Sequence, residues 1–177
     1  MSDSLKSVTT LARDFLITRW YFLFLVILGL FMEGVALYWQ YVVGDEPCQI
    51  CIHVRVWVAA FTLLGLVFLC LPRNRWLYLA GHALAIGAMV GLWERCRYLL
   101  DVENGKGESS CSFFLGFPDW FALDRWMPWM FEVRNLCGFT PEMWFGVSMA
   151  QYLIVASTAL VLFTTLAFLV NVLAWRD

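Results

Sequence analysis

The sequence predicts an all-α membrane protein: a four-transmembrane-helix bundle with a long outer loop that contains a short interfacial helix. Three observations predict it. Hydrophobic residues make up 62% of the 177 residues and charged ones only 15%, against about 25% charged in soluble domains. Mean hydropathy is +0.71, more apolar surface than a soluble protein of this size could hide. The apolar residues fall in long unbroken runs. Strands of a membrane barrel would alternate with period two, so continuous runs select helices. By length the chain is one domain, 1–177. A net charge of −2 with no basic patch argues against nucleic acid as a partner.

A hydrocarbon core of about 30 Å takes roughly 20 helical residues. The first span is expected at 20–43, with one charge, Glu33. The second covers 52–71 and has His53 and Arg55 in its first turn. Pro72, Arg73, Asn74 and Arg75 make a tight polar turn before the third span, 76–93. The fourth is placed at 143–171, within an apolar stretch that reaches Trp175. That stretch exceeds the bilayer thickness, so it tilts or starts among the headgroups. The N-terminal segment reads as an uncleaved lead-in to the first span. The apolar run after it is too long for a signal peptide, and no small-residue cleavage site follows.

Basic residues near the span ends set the orientation. Lys6, Arg13 and Arg19, then Arg73 and Arg75, then Arg176 crowd one side in short segments. The loop 44–51 has no lysine or arginine, and the stretch 94–142 spreads five over a much longer length. Both termini are therefore expected in the cytoplasm, with the loops 44–51 and 94–142 on the outer face.

The outer stretch 94–142 is too long for a passive connector. Residues 101–110 (DVENGKGESS) are rich in Gly, Ser and charge and are expected to be mobile. Residues 113–131 (FFLGFPDWFALDRWMPWMF) mix aromatics with Asp119, Asp124 and Arg125. That pattern suits a short amphipathic helix in the interface, with Trp120, Trp126 and Trp129 at headgroup depth. A compact outer cap is the alternative. Gly87 and Gly91 form a GxxxG in the third span, a mark of close helix packing.

The chemistry rests on cysteine. Cys48 and Cys51 form CQIC after Pro47, where the second helix opens, and Cys111 and Cys137 lie in the outer loop. Unpaired N–H groups at a helix N-terminus favour a thiolate. Arg55, four residues after Cys51, falls on the same helix face one turn below. Its charge would stabilise a Cys51 thiolate or a negatively charged reduced ligand beside it; the plainer role is snorkelling to the interface. Glu33 is costly inside a membrane and is a functional candidate for that reason, as a proton relay or a partner of Arg55. One vicinal and one widely spaced cysteine pair, outside the cytoplasm where disulfides are the default, point to electron transfer by disulfide exchange. Zinc is the rival use of CxxC, but a second CxxC or CxxH is missing and no metal is expected. Cys70 is expected to be inert at the cytoplasmic edge, Cys96 has no obvious partner, and His82 reads as a packing histidine.

Taken together, EGVALYWQYVV before PCQIC, Arg55 at its spacing, FPDWFALDRWMPWMF between Cys111 and Cys137, and the four-span plan resemble the disulfide bond formation protein B family, DsbB. The resemblance covers roughly 33–152. It implies a bacterial inner-membrane protein-dithiol:quinone oxidoreductase whose outer face is the periplasm. Such a protein reoxidises a periplasmic thioredoxin-fold DsbA-like oxidase and passes the electrons through two cysteine pairs to a membrane quinone. Disulfide formation in exported proteins depends on that flow. Ubiquinone and menaquinone both fit, and the remaining partners are membrane lipid and the quinone pool.

Carried over by position, the resemblance assigns Cys111 the mixed disulfide with the partner. Cys137, once released, attacks Cys48, and Cys51 is freed as a thiolate against the quinone ring. Arg55 matches the arginine associated with that quinone, and Glu33 an acidic first-span residue. Two departures stand out. Arg95 occupies a place where the family pattern has a histidine, and the segment after Cys137 (GFTPEMWFG) is short. They also fit a specialised member serving one DsbA-like partner. From other classes, a four-span structural protein with a disulfide-bonded outer loop would begin its cysteine pattern with CCG, absent here. A vitamin-K-epoxide-reductase-like quinone enzyme matches the arginine spacing less well, and a metal carrier remains the third alternative.

Overall fold

A computed structural model describes residues 18–72, 74–106, 114–138, 140–143 and 146–174. Its long elements are α1 (Arg19–Tyr38), α2 (Gln49–Cys70), α3 (Arg75–Glu103) and α6 (Met149–Ala174). All four are long and apolar enough to cross a membrane. Among the described residues there is no strand, only the isolated bridges Cys48–Asn135 and Glu142–Ser148. The protein is a four-helix membrane bundle.

Each helix boundary has a local cause. After α1 the backbone widens into a π-helical turn, Trp39–Val43, and stops at Gly44, whose φ of 85° suits glycine. Helix α2 ends at Cys70, with Leu71 as its extended C-cap before Pro72. Asn74 caps α3 by accepting from the Trp76 N–H at 3.0 Å. Helix α3 runs on to Glu103, ten residues past the end expected from hydropathy. Charges at 94–103 exclude that segment from an apolar span but not from a helix. Cys96, Leu99 and Val102 continue the buried stripe of Met89 and Leu92, while Arg97 and Asp101 pair on the outside at 3.9 Å. The helix stops at Asn104 and Gly105, the latter with a φ of 70°.

Helix α6 begins at Met149, later than the 143 expected. A capping box sets that start. The Ser148 Oγ accepts from the Gln151 N–H at 3.3 Å, and the Gln151 side chain accepts from the Ser148 N–H at 3.3 Å. The outer segment differs more. Its described part is three short turns, the 3₁₀ turn Asp119–Phe121, α4 (Leu123–Trp126) and α5 (Pro128–Phe131), where one amphipathic helix was expected. Pro128 has no N–H to continue α4 and instead opens α5 at its first position. Trp120, Trp126 and Trp129 are nonetheless exposed.

Helix α1 packs on α2, α2 on α3, and α3 on α6. Tyr21 of α1 reaches Phe163 of α6, ring centroids 6.0 Å apart. Glycines permit the close approaches. A Cβ on Gly91 would sit 2.5 Å from the Trp57 ring, and one on Gly29 would strike Thr62. Gly87 has open space around it, so of the GxxxG pair only Gly91 lies in a helix contact. Large apolar side chains such as Leu30, Phe31, Leu63, Val155 and Leu162 point outward. Such a belt suits lipid as its solvent.

At the end of the bundle that carries Arg19 and Arg75, His82 is fully buried. Its ring lies 4.2 Å from that of Tyr21, tilted by 33°, and its Nε2 lies 3.3 Å from Asn171 Nδ2. It is a packing histidine joining α1, α3 and α6, although its Nδ1 has no partner. Cys70 is free and exposed at the end of α2; Cys96 is free and buried inside α3.

Candidate functional site

Pro47 and Cys48 sit where the chain turns from the first helix into α2. Cys48 is the N-cap residue, in extended conformation, and its Sγ accepts from the Cys51 N–H at 3.3 Å. The sulfur thus occupies the place an N-cap oxygen usually fills, facing the positive end of a 22-residue helix. Cys48 and Cys51 are disulfide-bonded, with Cα atoms 5.1 Å apart.

The outer segment is tied to this helix mouth at several points. Arg134 N–H and Asn135 N–H both donate to the Pro47 carbonyl, at 3.0 and 3.3 Å. Gln49, inside the CQIC motif, donates to the Phe114 carbonyl at 2.7 Å. His53 Nε2 lies 3.0 Å from the Leu115 carbonyl, and its ring meets Phe117 at 5.2 Å. Beneath these bonds, Ile52 packs with Leu115, Leu123, Phe131 and Val133. Residues 114–135 are therefore docked on the first turns of α2.

That docking brings Cys137 to the vicinal pair. Cys48, Ile50, Leu99, Val102 and Ala150 form one apolar cluster, and Cys51 and Cys137 pack against it. Cys137 is itself disulfide-bonded, to a partner outside the described residues. Cys111 lies outside them too, as do residues 107–110 of the segment expected to be mobile.

Arg55 is buried and points toward α1. Its Nη1 donates to Gln40 Oε1 at 2.5 Å and to the Met130 carbonyl at 3.0 Å; its Nη2 donates to the Ala36 carbonyl at 3.1 Å. Tyr41 Oη and Gln40 Nε2 both donate to the Trp129 carbonyl, at 2.5 and 3.4 Å. These bonds link six residues: Ala36 of α1, Gln40 and Tyr41 of the π-helical turn, Arg55 of α2, and Trp129 and Met130 of the outer segment. Glu33 is also buried, within electrostatic reach of Arg55, and both its carboxylate oxygens lack a hydrogen-bond partner. Among the described residues Glu33 and Arg55 form no ion pair. Outside the helices, burial raises the Asp45 carboxyl above its ordinary value, and the charge of Arg55 opposes that shift.

A pinned guanidinium without an ion-paired carboxylate is a costly object in a low-dielectric site. An anionic ligand would compensate it, and the unpartnered Glu33 oxygens have room for a proton. The donor set therefore fits the reduced form of a quinone. Among the described residues no group of three or more His, Cys, Asp or Glu side chains is placed to hold a metal ion.

Gln40 and Tyr41 were not anticipated as part of the site. One sign was available. Gln40 follows Glu33 by seven residues, two helical turns, so both polar side chains of an apolar run share a face.

The family model for disulfide bond formation protein DsbB matches residues 18–167. Disulfide bond formation protein B 2 of Pseudomonas aeruginosa is 34% identical over 129 residues, 70% of this chain and 75% of that one. Disulfide bond formation protein B of Vibrio vulnificus is 35% identical over 136 residues, 75% of this chain and 78% of its own. The protein of that name from Shewanella amazonensis is 35% identical over 151 residues, 84% of this chain and 88% of its own. The chain belongs to the DsbB family.

Proposed function

We propose that the protein is a membrane disulfide oxidase. It takes electrons from a periplasmic thioredoxin-fold DsbA-like protein, passes them through Cys111–Cys137 and Cys48–Cys51, and delivers them to a quinone in the inner membrane. The observation that carries this reading is the shared cluster: the Cys48–Cys51 disulfide at the mouth of α2 packs with the disulfide-bonded Cys137. The basic residues Arg19 and Arg75 lie at the opposite end, which supports cysteines on the periplasmic face and cytoplasmic termini.

The chemistry balances as thiol–disulfide exchange. A partner thiolate attacks Cys111, forming a mixed disulfide and releasing Cys137 as thiolate. Cys137 attacks Cys48 and frees Cys51. The second partner thiol then displaces Cys111 from the mixed disulfide, leaving the partner oxidised. Cys111 in turn resolves the Cys137–Cys48 bond, which restores Cys111–Cys137 and leaves Cys48 and Cys51 reduced. A quinone bound beside them supplies the acceptor for two electrons and two protons. The chain's own part is then to hold Cys51 as thiolate beside the Arg55 charge and to keep the site dry. Glu33 is the buried group able to hold a proton near Arg55.

Trapping tests the order of exchange. In a strain whose DsbA-like partner keeps only its attacking cysteine, that thiolate opens Cys111–Cys137 and no second thiol can release it, so a mixed disulfide between Cys111 and the partner should accumulate on non-reducing gels. Recovery of the partner only as free thiol in that strain would contradict the assignment.

A further inference from the structure

We propose that Gln40 is the positioning residue for the Arg55 guanidinium, holding it toward the quinone without cancelling its charge. This rests on the quinone reading above.

The hydrogen bonds fix both side chains. Arg55 spends both Nη1 protons, on Gln40 Oε1 and the Met130 carbonyl, and one Nη2 proton on the Ala36 carbonyl. Three donors in three directions set the plane of the guanidinium. The remaining two of its five N–H groups have no acceptor among the described residues. The Gln40 amide cannot be turned over. Its Oε1 faces a cationic donor and its Nε2 faces the Trp129 carbonyl, so a flip would oppose like groups at both ends. The π-helical turn places Gln40 there, and the side chain is buried.

All three acceptors on Arg55 are neutral, two carbonyls and one amide. Glu33, the carboxyl on the same face of α1, makes no ion pair with it among the described residues. A carboxylate at position 40 would also accept from the guanidinium, but it would neutralise the charge and set a second oxygen against the Trp129 carbonyl. Glutamine accepts without doing either. The arginine then keeps its charge for Cys51, one turn away on the same face of α2, and for an anionic reduced quinone.

Gln40→Leu removes the acceptor, and Gln40→Glu keeps it but adds a charge. Both are to be compared with the parent and with Arg55→Met as full-length protein in nanodiscs. Each takes short-chain ubiquinone and menaquinone analogues as acceptors. Two readouts are needed: the quinone KM and kcat, and the rate at which iodoacetamide alkylates reduced Cys51 at neutral pH without quinone.

For Gln40→Leu we expect KM to rise about tenfold, the size of one hydrogen bond to a charged group, with a smaller change in kcat. For Gln40→Glu we expect a KM at least as high, together with slower alkylation, because the ion pair withdraws the charge from the thiolate. A Gln40→Glu protein with parental KM and alkylation would overturn the proposal, since an acceptor of either charge would then suffice. Parental KM in Gln40→Leu, provided its Cys48–Cys51 disulfide forms, would overturn it as well. If Arg55→Met raises KM while both Gln40 variants behave as parent, only this inference fails. If Arg55→Met also leaves KM unchanged, the quinone reading fails with it.

Discussion

Replacing Arg55 with methionine removes one charge and three donated hydrogen bonds while keeping much of the side-chain volume. The quinone KM should rise by tenfold or more, and the Cys111–Cys137 pair should still form. Arg55→Lys keeps the charge, but one ammonium cannot reach Gln40, Met130 and Ala36 in a planar fork, so its KM should fall between the two. A parental KM in the methionine protein would reduce Arg55 to an arginine snorkelling at the membrane edge. Cys48, Cys51 and Arg55 were legible because their relation is a helical spacing, which sequence carries directly. Gln40 was not, because its partner lies on another helix and its own neighbours are apolar. The company of Cys137 with Cys48 depends on two backbone bonds to the Pro47 carbonyl, and no side-chain identity announces those.

Between elements, the contacts are close enough to be tested with single substitutions at glycine. Gly91→Val must displace the Trp57 ring, a rigid neighbour held between α2 and α3. We expect it to lower stability by about 1–3 kcal/mol, the usual effect of overpacking. Gly87→Ala, four residues away, meets nothing within 4 Å and should leave the melting temperature unchanged or slightly raised. Equal losses at both positions in thermal unfolding would contradict the helix register described here. Hydropathy located the cores of the spans but not their ends. Helix α3 outruns its apolar segment because amphipathic patterning continues the helix where lipid no longer requires it. The start of α6 was readable in principle from Ser148 and Gln151, a capping box inside a stretch judged by hydropathy alone. The three turns between Asp119 and Phe131 follow from Pro118 and Pro128, whose missing N–H groups outweigh the amphipathic pattern.

For the whole molecule, the bundle was legible in composition and four apolar runs, because a bilayer leaves a helical chain few alternatives. What composition could not convey is how the outer segment folds back onto the mouth of α2, and that fold-back makes one site from residues as far apart as Gln40 and Trp129, 89 positions. On the proposed reading the molecule serves two solvents: a cysteine centre for a soluble partner at one end of a relay, and a charge-lined apolar centre for a lipid-soluble acceptor at the other. The most direct measurement is anaerobic turnover of the purified protein with a reduced DsbA-like oxidase and a short-chain quinone, following quinone absorbance and free thiols together. One quinone should be reduced for each partner disulfide formed, and alanine at Cys48, Cys51, Cys111 or Cys137 should stop that coupling. Thiols lost without matching quinone reduction, or coupled turnover surviving in Cys48→Ala, would contradict a relay through two cysteine pairs.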